Sequence, residues 1–103
     1  MKKAIRTIQL KNRCGLHMRP AAEIARIACA HEAAITLIVN DSRADARSLF
    51  ELLILGVSHG QLLQFTAHGR DAETALNALS QFLESYRDDG EVEEDSGIDS
   101  FAA

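Results

Sequence analysis

The sequence predicts one α+β domain in which helices cover one face of a sheet, and three observations carry that expectation. A chain of 103 residues is long enough for one core and too short for two. Its residues are 47% hydrophobic but only 5% aromatic, with no Trp, so the core must be mainly Leu, Ile, Val and Ala, which suits helices packed on a sheet. The apolar spacing also switches between strand and helix periods in the order βαββαβα.

Residues 4–10 alternate, with Ile8 and Leu10 on one face and Thr7 and Gln9 on the other, as a half-buried strand requires. Residues 12–17 form the loop that follows. From Met18 the apolar side chains Ala21, Ile24, Ala25 and Ala28 fall three and four apart, one helical stripe that runs as far as Ala30. Residues 34–39 are apolar and β-branched, Asn40-Asp41-Ser42 is turn chemistry, and residues 43–46 complete a hairpin. Ser48 precedes an apolar run that Gly56 ends, which predicts a short helix capped by Ser48; a buried strand over the same run is the alternative. Residues 62–67 read as a strand that puts Leu62 and Phe65 in the core. Last comes the clearest helix, whose stripe is Ala72, Ala75, Leu76, Leu79, Phe82, Leu83 and Tyr86, with Asp71 or Gly69 as its cap.

The net charge of −4 conceals a division. Residues 88–103 hold seven acidic residues and no Lys or Arg, and this charge density without periodicity predicts a disordered acidic tail. Residues 1–87, the predicted domain, hold all 11 basic residues against eight acidic ones, and the excess gathers at Lys11, Arg13, Arg19 and Arg26. No basic run or aromatic stripe accompanies it, so acidic protein surfaces are expected as partners and nucleic acid is not. No segment is apolar for long enough to cross a bilayer, and the apolar stretch of a signal peptide does not follow Lys2-Lys3. The expectation is a cytoplasmic protein with no membrane partner and with Cys14 and Cys29 as reduced thiols.

The segment Gly15-Leu16-His17-Met18-Arg19-Pro20-Ala21-Ala22 places an imidazole and a guanidinium at the mouth of the first helix. Gly15 permits a sharp approach of the backbone, and Pro20 suits a first turn, where its missing N–H costs nothing. The unpaired N–H groups and positive dipole end of that helix favour the dianionic charge of a phosphorylated imidazole, and Arg19 can give paired donors to the phosphate oxygens. Taken alone, the octapeptide is better read as a helix-capping histidine with Arg19 as an ordinary surface charge, and Ser48 also fits a plain cap. Cys14 with His17 and Cys29 with His31 invite a zinc reading, but the two pairs would flank one helix about 20 Å apart, so neither metal nor cofactor is expected. His31, His59 and His68 read as surface or loop residues.

Two further blocks, Arg47-Ser48-Leu49-Phe50-Glu51-Leu52-Leu53-Ile54-Leu55-Gly56 and Ala67-His68-Gly69-Arg70-Asp71-Ala72, stand at matching spacing. With them, residues 5–83 resemble HPr, the histidine-containing phosphocarrier family of the bacterial phosphoenolpyruvate-dependent phosphotransferase system. The resemblance implies an open-faced β-sandwich, a four-stranded antiparallel sheet covered on one face by three helices. It implies that His17 takes a phosphoryl group on Nδ1, that Arg19 steadies the phosphate, and that Ser48 is a regulatory phosphorylation site. Leu16, Leu49, Phe50 and Leu53 resemble the patch on which partners dock. The implied partners are Enzyme I as donor, IIA domains as acceptors, an HPr kinase/phosphorylase and transcriptional regulators, served by a monomeric carrier and not by a stand-alone enzyme. Met18 departs from the small residue usual in the family and would crowd the phosphate. Cys14 stands where a polar residue is common, and the acidic tail runs past the usual end. The alternative expectation is a mainly regulatory protein, nitrogen-related or phosphorylated at Ser48, whose output is phosphorylation-dependent binding.

Overall fold

Alternation decides which face of each strand is buried. In β1 (Lys3–Gln9) the buried side chains are Ala4 and Ile8, in β2 (Ala34–Val39) Ile35, Leu37 and Val39, in β3 (Ser42–Asp45) Ala44, and in β4 (Leu62–His68) Leu63, Phe65 and Ala67. Backbone pairing puts these on a common surface: Ile8 lies opposite Leu63, Phe65 opposite Leu37, and Leu37 opposite Ala44. The four strands form one antiparallel sheet in the order β1-β4-β2-β3, with α1 (Met18–Cys29) between β1 and β2, α2 (Leu49–Ile54) between β3 and β4, and α3 (Ala72–Ser85) after β4. The helices cover the buried face and leave the other open, so the fold is the open-faced β-sandwich. This computed structural model describes residues 2–91.

Both long helices bury the stripes that their sequences predict. In α3, Ala72, Ala75, Leu76, Leu79 and Leu83 are buried, and in α1 Ile27 joins Ala21, Ile24 and Ala28. Phe82 is half-buried and its ring lies 5.2 Å from that of Tyr86, the residue that caps α3. Asp71 precedes α3 but turns its carboxylate away, to accept the backbone N–H groups of Glu32 and Ala33 at 2.9 and 2.8 Å. The carbonyls beyond the end of α1 are met by Arg47, whose guanidinium donates to His31 O at 2.7 Å.

Two expectations about the strands need correction. Leu62 is 61% exposed, because with a period of two it cannot share the face of Phe65; it sits opposite Gln9 on the open side, and Leu63 takes the core position. The third strand is Ser42–Asp45 and not 43–46, since Asn40 adopts φ 55° and Val39 then pairs directly with Ser42. The run after Ser48 is helical: Ser48 Oγ accepts the N–H of Glu51 at 3.2 Å, and Leu52 alone within α2 is fully buried, which excludes the buried strand.

Candidate functional site

The loop between β1 and α1 is built around Asn12, a polar side chain only 1% exposed. Its Nδ2 donates to Gly15 O at 2.8 Å, while its own carbonyl faces His59 Nδ1 at 3.1 Å. Gly15 has φ +71°, and a Cβ there would stand 2.5 Å from Val57 O. Only glycine lets the loop lie that close to the segment after α2, where Leu16 N–H donates to the same Val57 carbonyl at 3.0 Å. This clamp presents the next residue, His17, as the N-cap of α1.

His17 caps with its backbone alone. Its φ is −96° and ψ −169°, its carbonyl accepts Ala21 N–H at 3.0 Å, and its side chain makes no cap hydrogen bond. The ring, in a side chain 40% exposed, instead faces Asp88, with Nε2 2.8 Å from Oδ1. No acidic residue occupies the first turn of α1, so the positive end of the helix is left without local compensation. Arg19 lies in that turn and pairs with Asp89 at 2.9 Å, which raises the guanidinium pKa further through the hydrogen bond and charge of Asp89.

Asp88 is the most highly connected acid at the site. Besides His17, its carboxylate accepts Cys14 N–H at 2.8 Å and Asn12 Nδ2 at 3.1 Å, in a side chain 12% exposed. Burial pushes its pKa up, but the hydrogen bonds from Cys14, His17 and Asn12 together outweigh burial and hold it well below the usual carboxylate range. Its hydrogen bond and negative charge raise the pKa of the exposed Cys14 thiol, so Cys14 is held away from the reactive thiolate. Sequence spacing gave no sign of Asp88, which stands 71 residues from His17. Asn12 was readable only as a loop residue. Met18 and Ile54, both exposed apolar side chains on α1 and α2, were also absent from the expected patch.

Cys14, His17 and Asp88 bring ligand atoms within 4.8 Å of one another, so the structure gathers half of the dismissed zinc set and replaces Cys29 and His31 with a carboxylate. The donor types fit zinc. The Asp88 carboxylate already accepts the Cys14 N–H and the Asn12 amide and faces the His17 ring, so its place in the site is as a hydrogen-bond acceptor.

The expected docking residues divide. Phe50 is 75% exposed, and Leu49 and Leu53 are half-buried on α2. Leu16 is a correction: it is 5% exposed, because the Gly15 clamp turns it into the core beneath α1. Ser48 is half-buried at the start of α2. Lys11 and Arg13 flank the loop, Lys11 paired with Glu84 at 2.9 Å. His31, His59 and His68 lie in loops or at a strand end, as expected. Among the described residues no helix is long and apolar enough to cross a membrane.

An open-faced sandwich that offers a half-exposed imidazole at the start of a helix whose own first turn holds no acidic residue has the form of a small phosphocarrier, and the comparisons with known proteins agree. The family model described as "PTS HPr component phosphorylation site" matches residues 4–85. The chain belongs to the HPr family, the phosphocarriers of the phosphotransferase system. It is 32% identical over 89 residues to a phosphocarrier protein NPr of Shewanella violacea, covering 86% of this chain and 98% of that protein. It is 36% identical over 75 residues to the phosphoryl donor subunit DhaM of a phosphoenolpyruvate-dependent dihydroxyacetone kinase from Providencia stuartii; that match takes in 73% of this chain but only 16% of the longer protein. Among solved structures, HPr-C-His from Thermoanaerobacter tengcongensis superposes with a TM-score of 0.75 at 36% identity, covering 82% of this chain and 93% of the other.

Proposed function

We propose that His17 accepts a phosphoryl group from phosphoenolpyruvate-charged Enzyme I and passes it to IIA domains of the sugar phosphotransferase system. The observation that carries this reading is the N-terminus of α1: an accessible imidazole, no acidic residue in the first turn, and Arg19 on that turn. Nδ1 attacks the phosphorus of the donor in line, its lone pair forms the N–P bond, and the bond from phosphorus to the donor breaks. The dianion then meets the positive end of α1 and the guanidinium of Arg19, which exchanges the Asp89 carboxylate for phosphate oxygens. Partners supply the rest of the catalytic surroundings and dock on Phe50 with Leu49 and Leu53, within the basic rim of Lys11, Arg13 and Arg26. The carrier is a cytoplasmic monomer, and its domain runs past the expected end at residue 87 to take in Asp88 and Asp89, which meet His17 and Arg19.

Labelled phosphoenolpyruvate with purified Enzyme I should place one acid-labile phosphate on the chain. His17→Ala should abolish the label, and Arg19→Ala should slow its appearance without unfolding the protein. Undiminished label on His17→Ala would reject the assignment.

A second reading, regulation through Ser48, draws support from its place as the cap of α2 beside the exposed Phe50. A phosphate there suits the helix dipole yet puts charge into the docking patch, so an HPr kinase/phosphorylase would weaken Enzyme I binding and leave stability alone. Ser48→Asp should therefore slow phosphorylation of His17; an unchanged rate would remove this reading.

A further inference from the structure

We infer that Asp88 is a positioning residue of the phosphoryl transfer: it holds the His17 ring as the Nε2–H tautomer and so leaves Nδ1 as the nucleophile. The inference rests on the carrier reading above. It begins with the donors around Asp88, which lies beyond the residues 4–85 that the family model matches. Cys14 N–H donates to Oδ2 at 2.8 Å, and Asn12 Nδ2, from a side chain 1% exposed, reaches both oxygens at 3.1 and 3.3 Å. These donors prefer an ionised carboxylate, and an ionised carboxylate is an acceptor only. His17 Nε2, 2.8 Å from Oδ1, must therefore carry the proton, and in the neutral ring Nδ1 is then the nitrogen with the free lone pair. Nδ1 has no hydrogen-bond partner among the described residues.

The same contact simplifies the chemistry. When Nδ1 forms its bond to phosphorus, the proton stays on Nε2, and the positive charge that the ring gains lies beside the Asp88 carboxylate. When the acceptor attacks, the N–P electron pair returns to Nδ1 and the ring leaves as neutral imidazole. No proton moves in either direction. Without Asp88 a share of the rings would carry the proton on Nδ1, where it blocks attack.

The test uses the full chain labelled with ¹⁵N in histidine. Long-range ¹H–¹⁵N spectra read the tautomer of His17, and transfer from Enzyme I is timed on the same samples, for the parent, Asp88→Ala and Asp88→Asn. Asp41→Asn, in the exposed turn after β2, controls for loss of one charge. We expect Nε2–H alone in the parent and a mixture in Asp88→Ala, with transfer slower by roughly 10-fold, the factor that corresponds to one net hydrogen bond. Asp88→Asn, which keeps the shape, should fall between the two and guards against local misfolding. Asp88 loses this role if the tautomer stays as in the parent, or if it changes and the rate does not. A rate loss with an unmoved tautomer would equally overturn it and make Asp88 a docking residue. A parent that takes no label would overturn the carrier reading itself, and the part of Asp88 in transfer with it; a labelled parent confines any failure to Asp88.

Discussion

Two helix N-termini in this protein solve the same electrostatic problem differently. At α2, Ser48 Oγ accepts the N–H of Glu51, and Glu51 adds negative charge to the first turn, so the end is satisfied by its own sequence. At α1 neither a side-chain cap nor an acidic residue is present, and the nearby carboxylates come from residues 88 and 89, far along the chain. The end completed by its own residues is held without a distant partner. The end left open by its own residues is the one a phosphate can complete.

The strongest way to break the comparison is to remove the clamp that presents His17. Gly15→Ala forces a side chain into positive φ and onto Val57 O, so we expect a loss of about 3 kcal/mol in denaturant unfolding. A loss under about 1 kcal/mol would mean that the loop can move away freely.

Acid tests the carboxylate that serves α1. Because the folded pKa of Asp88 is depressed, its contribution is present above the unfolded value of about 3.9 and is lost as pH falls through the lower folded value. Unfolding curves should put the parent roughly 2 kcal/mol above Asp88→Asn at neutral pH, the scale of hydrogen bonds to a charged group. That gap should close progressively below about pH 4. A gap that widened on acidification would contradict the depressed pKa.

At α2, Ser48→Ala removes one cap hydrogen bond and should cost about 1 kcal/mol. Met18→Glu then sharpens the contrast, since it gives α1 the acidic first turn that α2 already has. The fold should gain about 0.5 kcal/mol while phosphoryl transfer slows, because the helix end no longer needs the phosphate. Faster transfer in Met18→Glu would show that crowding by Met18, and not charge, limits the site.

Much of this organisation was legible. The α3 stripe, the Ser48 cap, the hairpin turn and the motif around His17 are local patterns, although β3 begins one residue before the place its spacing gave it. What the sequence hid had a common cause. Leu62 and Phe65 are both apolar, but only pairing with β1 and β2 sets which parity faces the helices. Leu16 sits inside the motif, and only the contact of Gly15 with Val57 turns it inward. The acidic stretch read as one tail, yet residues 88–91 lie against the 12–19 segment; the expected disorder concerns residues 92–103, outside those described.

The sequence by itself determined the succession of strands and helices, the residues that cap α2, and an imidazole with a guanidinium on one helical turn, because periodicity, capping and dipole act over a few residues. The tertiary structure alone decided which nitrogen of His17 faces a carboxylate, since that carboxylate arrives from 71 residues away and is held by Asn12 and the backbone of Cys14. Proton placement on a ring follows the groups that touch it, and those groups meet only when the chain has folded.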